Sequence, residues 1–420
     1  MVSEMLMLLS LMVGHVALPW WIVHEGGAHD MALYSGIMSL VSFLALPLLS
    51  PLGDRYSKRM LITGGLALYT VESILLALLV QAGHYNIWTL LMLEAIPVIA
   101  MAMISPASFS IAAELLPAEK LSDGFAMQRS AGALGRMMGP VIGGVILGIA
   151  SVAITLWVHV LLLAGAVWAA SRIQAPTPKA RTSDAHSWLA DMKAGIAAKW
   201  QIPMERGWTA TSFCVMLFFG PGIGMLVPVK IQSLGLSGAW LGGCEAALSC
   251  GMLLGMLGGA KFVSERIGRF WASSGAILLE GLSLMLAGYT HTAWLLPLAY
   301  FLIGFGIANV QMVGHTHRML ATPENFRSRM TAVNIMVMQI ASTLGPAIAG
   351  FGLALGNVHQ VYLVFGVCVF ICGLMYQRVP GYRHFLGLDH EAVKGWYAQQ
   401  HPHIFSAGAA TPAPTHTTVR

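Results

Sequence analysis

Charge is scarce in this sequence. Asp, Glu, Lys and Arg make up 10% of its 420 residues, against 56% hydrophobic. A soluble domain carries roughly a quarter charged residues, so that class is excluded. Cysteine is scarce as well. Cys214, Cys244, Cys250, Cys368 and Cys372 all fall in apolar runs, form no Cys-x-x-Cys and have no histidine at metal-ligand spacing. They read as small buried hydrophobes, and neither a metal nor a cofactor is expected. No Ser–His–Asp set or other catalytic constellation is visible, so the chain does not read as an enzyme. The ten-residue alternation of a membrane β-barrel is missing too. What is present is a series of continuous apolar runs, rich in the glycine and tryptophan that membrane helices tolerate and use. The fold class is an all-α, polytopic membrane protein.

Twelve spans are expected, at about 4–23, 31–51, 60–82, 87–112, 125–149, 151–171, 209–231, 238–261, 270–289, 293–315, 328–352 and 358–378. Each is long enough to cross ~30 Å of hydrocarbon at about 1.5 Å per residue. The first run lacks a basic leader and a small-residue cleavage site, and reads as a span rather than a cleaved signal. With the N-terminus on the cytoplasmic side, the basic residues sort themselves. Of 23 Lys and Arg only Lys230 falls outside and only Arg136 lies deep in a span. That is the positive-inside pattern of an inner-membrane protein with both termini in the cytoplasm. It also accounts for the net charge of +5 without nucleic acid. Trp20, Trp21, Trp88, Trp240 and Trp294 then fall at the outer interface.

The organisation is six plus six. A first half (1–171) is joined to a second (207–378) by a cytoplasmic connector (172–206), and a tail (379–420) follows. In the connector, "WLADMKAGIAAKW" predicts a short helix with Trp188, Leu189, Met192 and Ile196 toward the membrane surface. The tail ends in "SAGAATPAPTHTTVR", a composition that predicts disorder. Residues 117–144 align without gaps on 323–350. Pro117, Ser122, Ala126, Gly139, Pro140, Ile142 and Gly144 meet identical residues, and Gly345-Pro346 repeats Gly139-Pro140.

Two motifs resemble those of the major facilitator superfamily. "SPLGDRYSKRM" (50–60) is similar to its loop 2–3 motif Gly-x-x-x-Asp-Arg-x-Gly-Arg-Arg. Asp54, Arg55, Lys58 and Arg59 match, while Ser50 and Ser57 replace the glycines. "SERIGRF" (264–270) is a degenerate second copy with Glu265, Arg266 and Arg269. "GRMMGPVIGG" (135–144) resembles the span-5 motif of drug:proton antiporters at all its fixed positions, Gly135, Gly139, Pro140, Gly143 and Gly144. The overall pattern looks most like the macrolide-efflux and enterobactin-exporter branch. The resemblance implies two pseudo-symmetric six-helix halves, with spans 1, 2, 4, 5, 7, 8, 10 and 11 around a central cavity. It implies that Asp54 latches the halves against the end of span 11, while topology alone would also account for the bases. Asp54→Asn is expected to impair transport without affecting membrane insertion, and unchanged transport would remove the latch.

Ionisable residues inside a membrane are costly and mark functional sites. By residue count His15, Glu94, Arg136 and Glu245 fall near mid-depth on cavity-lining spans. They are the candidates for proton coupling or substrate binding. Arg136 would tune Glu94, form a static pair with it, or anchor an anionic substrate group. Its repeat partner is Ser342, so the shared helix geometry does not require it. Glu72 and Glu280 sit on peripheral spans, merely tolerated, protonated or packed inward, and His159 reads as structural. Gln128, Gln311, Asn334 and Gln339 would add neutral polar groups to the cavity. His315 and His317 are expected to be exposed at the inner interface. Gly135, Gly139 and Gly143 stand four apart, a face that lets a neighbouring helix approach closely, and Pro140 can bend the span.

The expected function is secondary active export, by alternating access, of a small amphipathic organic molecule. The substrate would be a drug or a siderophore-like metabolite, exchanged for protons by a monomer in the bilayer. An importer of a small metabolite in the same fold is the alternative, and a non-transporting membrane sensor is the alternative from another class.

Overall fold

The computed structural model describes residues 2–49, 57–115, 121–173 and 188–406. Asp54, Arg55 and the last fourteen residues of the tail lie outside them. Among the described residues ten helices are long and apolar enough to cross a membrane, or eleven if the bent pair Pro203–Ile223 and Leu226–Ser233 is one span.

The first of these, Val2–Leu49, is a double span. Its 48 residues would reach roughly 72 Å as one rod, twice the hydrocarbon thickness. The chain breaks at Gly27, whose φ of 74° is left-handed and favours glycine. Spans 1 and 2 are thus separated by a single residue rather than a loop. Tyr85 ties the break down by donating to Asp30 Oδ2 at 2.8 Å and packing edge-on to Trp21. Counting both parts gives the twelve spans of the two-half architecture.

Spans 3 to 6 are Lys58–Gln81, Ile87–Leu115, Leu121–Ile149 and Val152–Ser171. Side chains of Ser57, Asn86 and Ser151 cap three of them by accepting from backbone N–H groups. Span 7 is the bent pair. Span 8 is Ala239–Leu254 continued to Ile267 through a π-helical turn at Gly255–Gly259. Span 9 is Arg269–Tyr289. Span 10 is Leu295–Asn309, continued to Ala321 through a second π-helical turn at Val310–His315. Spans 11 and 12 are Glu324–Leu355 and Val358–Tyr376, the latter opened by an Asn357–Gln360 capping box.

Where the chain leaves the membrane it departs from expectation at the connector helix and at His317, while the stretch read as disordered lies, apart from Ser406, outside the described residues. The connector helix forms, at Trp188–Gln201, but it buries Gly195, Ala198 and Lys199 and leaves Ile196 exposed. It packs on span 11, since a Cβ on Gly195 would stand 2.8 Å from Arg329 O. Its register follows that helix–helix contact rather than its own apolar stripe. The tail is folded as far as Ser406: short helices Tyr382–Gly387, His390–Val393, Trp396–Gln400 and Pro402–Ser406 bury Tyr382, Phe385 and Tyr397 completely. His315 is exposed, but His317 is buried and bonds Leu388 O at 3.1 Å, because the folded tail covers that end of span 10.

Candidate functional site

Glycines decide how closely the spans meet. A Cβ on Gly135 would stand 2.7 Å from Met5 O. One on Gly139 would stand 2.8 Å from Leu9 O, and one on Gly143 3.1 Å from Val13 Cα. That face of span 5 therefore lies against span 1. Gly144 points the other way, into the second half, and a Cβ there would collide with Gly242 Cα in span 8. One turn on, Gly148 meets Ala239; Gly238 meets Leu147, and Gly350 in span 11 meets Ala32 in span 2. Gln232 donates to Trp20 O at 3.2 Å. The two halves thus close on each other at the end that carries the short loops, opposite the connector and tail. Gly345 serves within the second half, facing Leu217 O and Pro221 of span 7.

Between the halves, at mid-depth, is a cavity of about 320 Å3. Its wall combines apolar groups (Met31, Met216, Pro221, Met225, Pro346) with His15, Tyr34, Tyr69, Glu94 and His159. Tyr34 donates to Glu94 Oε2 at 3.1 Å. Glu245 is half-buried in span 8, within electrostatic reach of His15. Of the four principal candidates, three thus gather in or beside this cavity.

Arg136 does not. It is exposed, it is absent from the cavity wall, and the anion it attracts is Glu4 in the first turn of span 1. Span 5 is a helix of 29 residues, roughly 43 Å, longer than the hydrocarbon core. Gly135 abuts Met5, near the start of span 1, rather than the level of His15. Arg136 therefore sits some eight residues, roughly 12 Å, from the depth counted for it. The proposed pair with Glu94 is not formed, and Tyr34 occupies that carboxylate instead.

The neutral polar candidates also scatter. Gln128 bonds Glu4 and Ser108 O, and Gln311 is exposed in the second π-helical turn. Gln339 donates to Ser39 O at 3.3 Å, joining span 11 to span 2. Asn334 accepts from Arg318 Nη1 at 3.1 Å. In the loop motifs Arg59 donates to Ser171 O at 2.7 Å, and Lys58 is engaged as well. Arg269 holds Leu388 O of the tail at 2.8 Å. Glu265 forms an exposed pair with Lys261, and Arg266 lies over Phe262.

A second polar centre was not anticipated. Glu205, fully buried at the start of span 7, accepts from Arg318 Nε and Nη2, from Lys199 Nζ at 3.0 Å and from Tyr397 Oη. Arg318 also donates to Thr209 and covers the Trp208 ring. Burial and the neighbouring Arg318 push the Lys199 ammonium down to about 8, and Glu205 works against both. Counted by topology, Lys199 and Arg318 were two more inner-side bases. Their partner acid lies 113 residues from Arg318, and no local pattern joins them.

The family model for the Major Facilitator Superfamily matches residues 1–263 and 246–384, almost the whole membrane region. The chain belongs to the major facilitator superfamily. Among characterised members it is similar to the multidrug efflux pump Tap of Mycobacterium tuberculosis (strain ATCC 25618 / H37Rv), at 22% identity over 384 residues, 88% of this chain and 90% of that one. Tap of Mycolicibacterium fortuitum matches at 22% over 380 residues, covering 88% and 91%. Among solved structures it is similar to the nucleoside transporter NupG (TM-score 0.71, 13% identity, 90% of this chain and 97% of that). A bacterial homolog of the human lysosomal transporter Spinster, in an inward-facing and occupied conformation, superposes with TM-score 0.64 at 14% identity, covering 91% and 94%. The structural likenesses, at this level of identity, show the fold. This superfamily member is accordingly a multi-pass transporter of small molecules.

Proposed function

We propose that the protein exports amphipathic organic molecules from the cytoplasm in exchange for protons, across a bacterial inner membrane. The observation that carries this reading is the cavity itself, apolar for most of its wall and supplied with one carboxylate, Glu94, and two imidazoles, His15 and His159. Such a wall suits a drug-like or siderophore-like molecule with a large apolar body. A group that titrates as the cavity opens to each side supplies the coupling, because desolvation and nearby charge change its proton affinity. The similarity to Tap efflux pumps over most of the chain supports export. The positive-inside pattern supports cytoplasmic termini, and the halves then close on the outer side, as in an inward-facing state.

Glu94 is the coupling group in this reading, with Glu245 and His15 as its counterpart. In everted vesicles given an imposed pH gradient, Glu94→Gln and Glu245→Gln are each expected to lower proton-driven uptake of ethidium at least about tenfold, the scale of losing one acid–base group. Undiminished uptake in both variants would end the carboxylate assignment. Accumulation in whole cells rather than extrusion would favour an importer.

A further inference from the structure

Behind the cavity wall lies a chain of polar groups that the reading above leaves unused. Span 3 has two faces. Val71, Leu75 and Leu78 are exposed, whereas Tyr69, Glu72, Ser73 and Leu76 are buried. Glu72 is 1% exposed and its Oε1 has no hydrogen-bond partner. Its Oε2 lies 3.2 Å from Ser73 Oγ. Ser73 Oγ lies 3.0 Å from His159 Nε2 in span 6. His159 Nδ1 lies 2.8 Å from Ser10 O and from Ser10 Oγ in span 1.

Counting hydrogens along this chain leaves few arrangements. The hydroxyl proton of Ser10 is spent on His159 O, at 2.7 Å. Ser10 O can only accept, so Nδ1 carries a proton and donates. In a neutral ring Nε2 then accepts, and the single proton of Ser73 goes to it. The contact between Ser73 and Glu72 is a hydrogen bond only if Glu72 is a protonated acid and donates. The alternative moves one proton along the chain. Glu72 Oε2–H breaks and Ser73 Oγ takes that proton, while Ser73 passes its own to Nε2. The result is a carboxylate and an imidazolium bridged by the same hydroxyl. Both arrangements satisfy the contacts that run from Glu72 to Ser10, while the Tyr69 carbonyl, 2.9 Å from Ser73 Oγ, competes for the one hydroxyl proton.

The titratable groups facing Glu72 are few. They are Glu94 from span 4, Tyr34 from span 2, Tyr69 from its own span and His159 from span 6. Glu94 itself stands on the cavity wall, where Tyr34 donates to it at 3.1 Å. Tyr69 and His159 both reach the cavity that contains Glu94.

We propose that Glu72, Ser73 and His159 form a buried proton relay reaching the cavity that contains Glu94, in which a proton passes from Glu72 to His159 through Ser73. The relay rests on the proton-antiport reading and assigns its buried half. Ser73 is the member that tests it, because it lies off the cavity wall and contributes only a hydroxyl. In proteoliposomes with an imposed pH gradient, Ser73→Ala is expected to lower ethidium transport about tenfold. Ser73→Thr, which restores the hydroxyl, should recover it to within about twofold, and ethidium affinity, read by tryptophan fluorescence, should change by less than about twofold in either. Infrared spectroscopy of the full-length protein without substrate is expected to show a protonated-carboxyl band that Glu72→Gln removes and Ser73→Ala shifts. Wild-type transport by Ser73→Ala, or equal impairment of the alanine and threonine variants, would overturn the relay and leave antiport standing. A wild type whose ethidium transport ignores the pH gradient would overturn antiport and the relay with it. Loss of the Glu72 band without a shift in Ser73→Ala would overturn the relay alone.

Discussion

Glu205→Ala is expected to lower the stability of the protein by about 3–5 kcal/mol, the cost of stranding buried charges by removing their partner. The carboxylate is wholly buried and is the sole anion of its cluster among the described residues. Arg318 holds it through two nitrogens, Lys199 through its ammonium and Tyr397 through its hydroxyl. Without it two cations face each other with no counter-ion among the described residues. The damage would spread, because the four residues belong to four separate elements. Glu205 opens span 7, Arg318 closes span 10, Lys199 ends the connector helix and Tyr397 anchors the tail. Glu205→Gln keeps the shape and two acceptor lone pairs, so it should fall between alanine and wild type. Tyr397→Phe, removing one hydrogen bond to a charged group, should cost about 1.5–3 kcal/mol. Thermal melting in detergent, followed with a thiol-reactive dye that reaches buried Cys244 and Cys372 only on unfolding, measures all three. A Glu205→Ala protein melting at the wild-type midpoint would mean that water reaches the cluster and hydrates the stranded cations.

That cluster marks where reading the sequence stops working. Long apolar runs, the positive-inside sorting and the repeat at 117–144 and 323–350 made the twelve spans and the two halves legible, since each follows from length or composition alone. The gathering of His15, Glu94 and Glu245 was legible because residue counting measures height along a helix. It does not measure the direction a side chain faces, and it inherits every error in the span boundary. Arg136 shows both failures, because a span longer than the bilayer moved it toward the inner end and its rotation turned it to Glu4. Glu72 and His159, set apart for lying on spans away from the cavity, both turn inward, and helix rotation again decides this. The tail was unreadable for another reason. Its helices are four to six residues long, too short for periodicity to register, and they fold by burying aromatic rings against spans 9 and 10.

Gly144→Leu is the substitution expected to affect transport most with least harm to the fold. Gly144 and Gly242 cross with backbone against backbone, and a Cβ on Gly242 would also stand 2.8 Å from Pro140 O. Neither obstacle is a side chain that can rotate away, so the helices must separate. Gly139→Leu meets a similar obstacle inside one half, against Leu9 O, and should act chiefly by lowering the melting midpoint. The Gly144 crossing lies between the halves, at the end where they close, so a wedge there is relieved by opening that end. If overpacking disfavours the closed arrangement by about 1–3 kcal/mol, its population relative to the open one falls about 5- to 150-fold. Transport would fall with it, since alternating access requires both arrangements, while melting should stay close to wild type. The population itself can be read with a cysteine at Leu147, which lies beside Gly238 at the same crossing. In a cysteine-free background, a membrane-impermeant maleimide added from outside should label Leu147→Cys faster once Gly144→Leu is present. Unchanged labelling with wild-type transport would mean that the crossing is not a gate. Faster labelling with transport retained would mean that closure at this end does not limit the cycle.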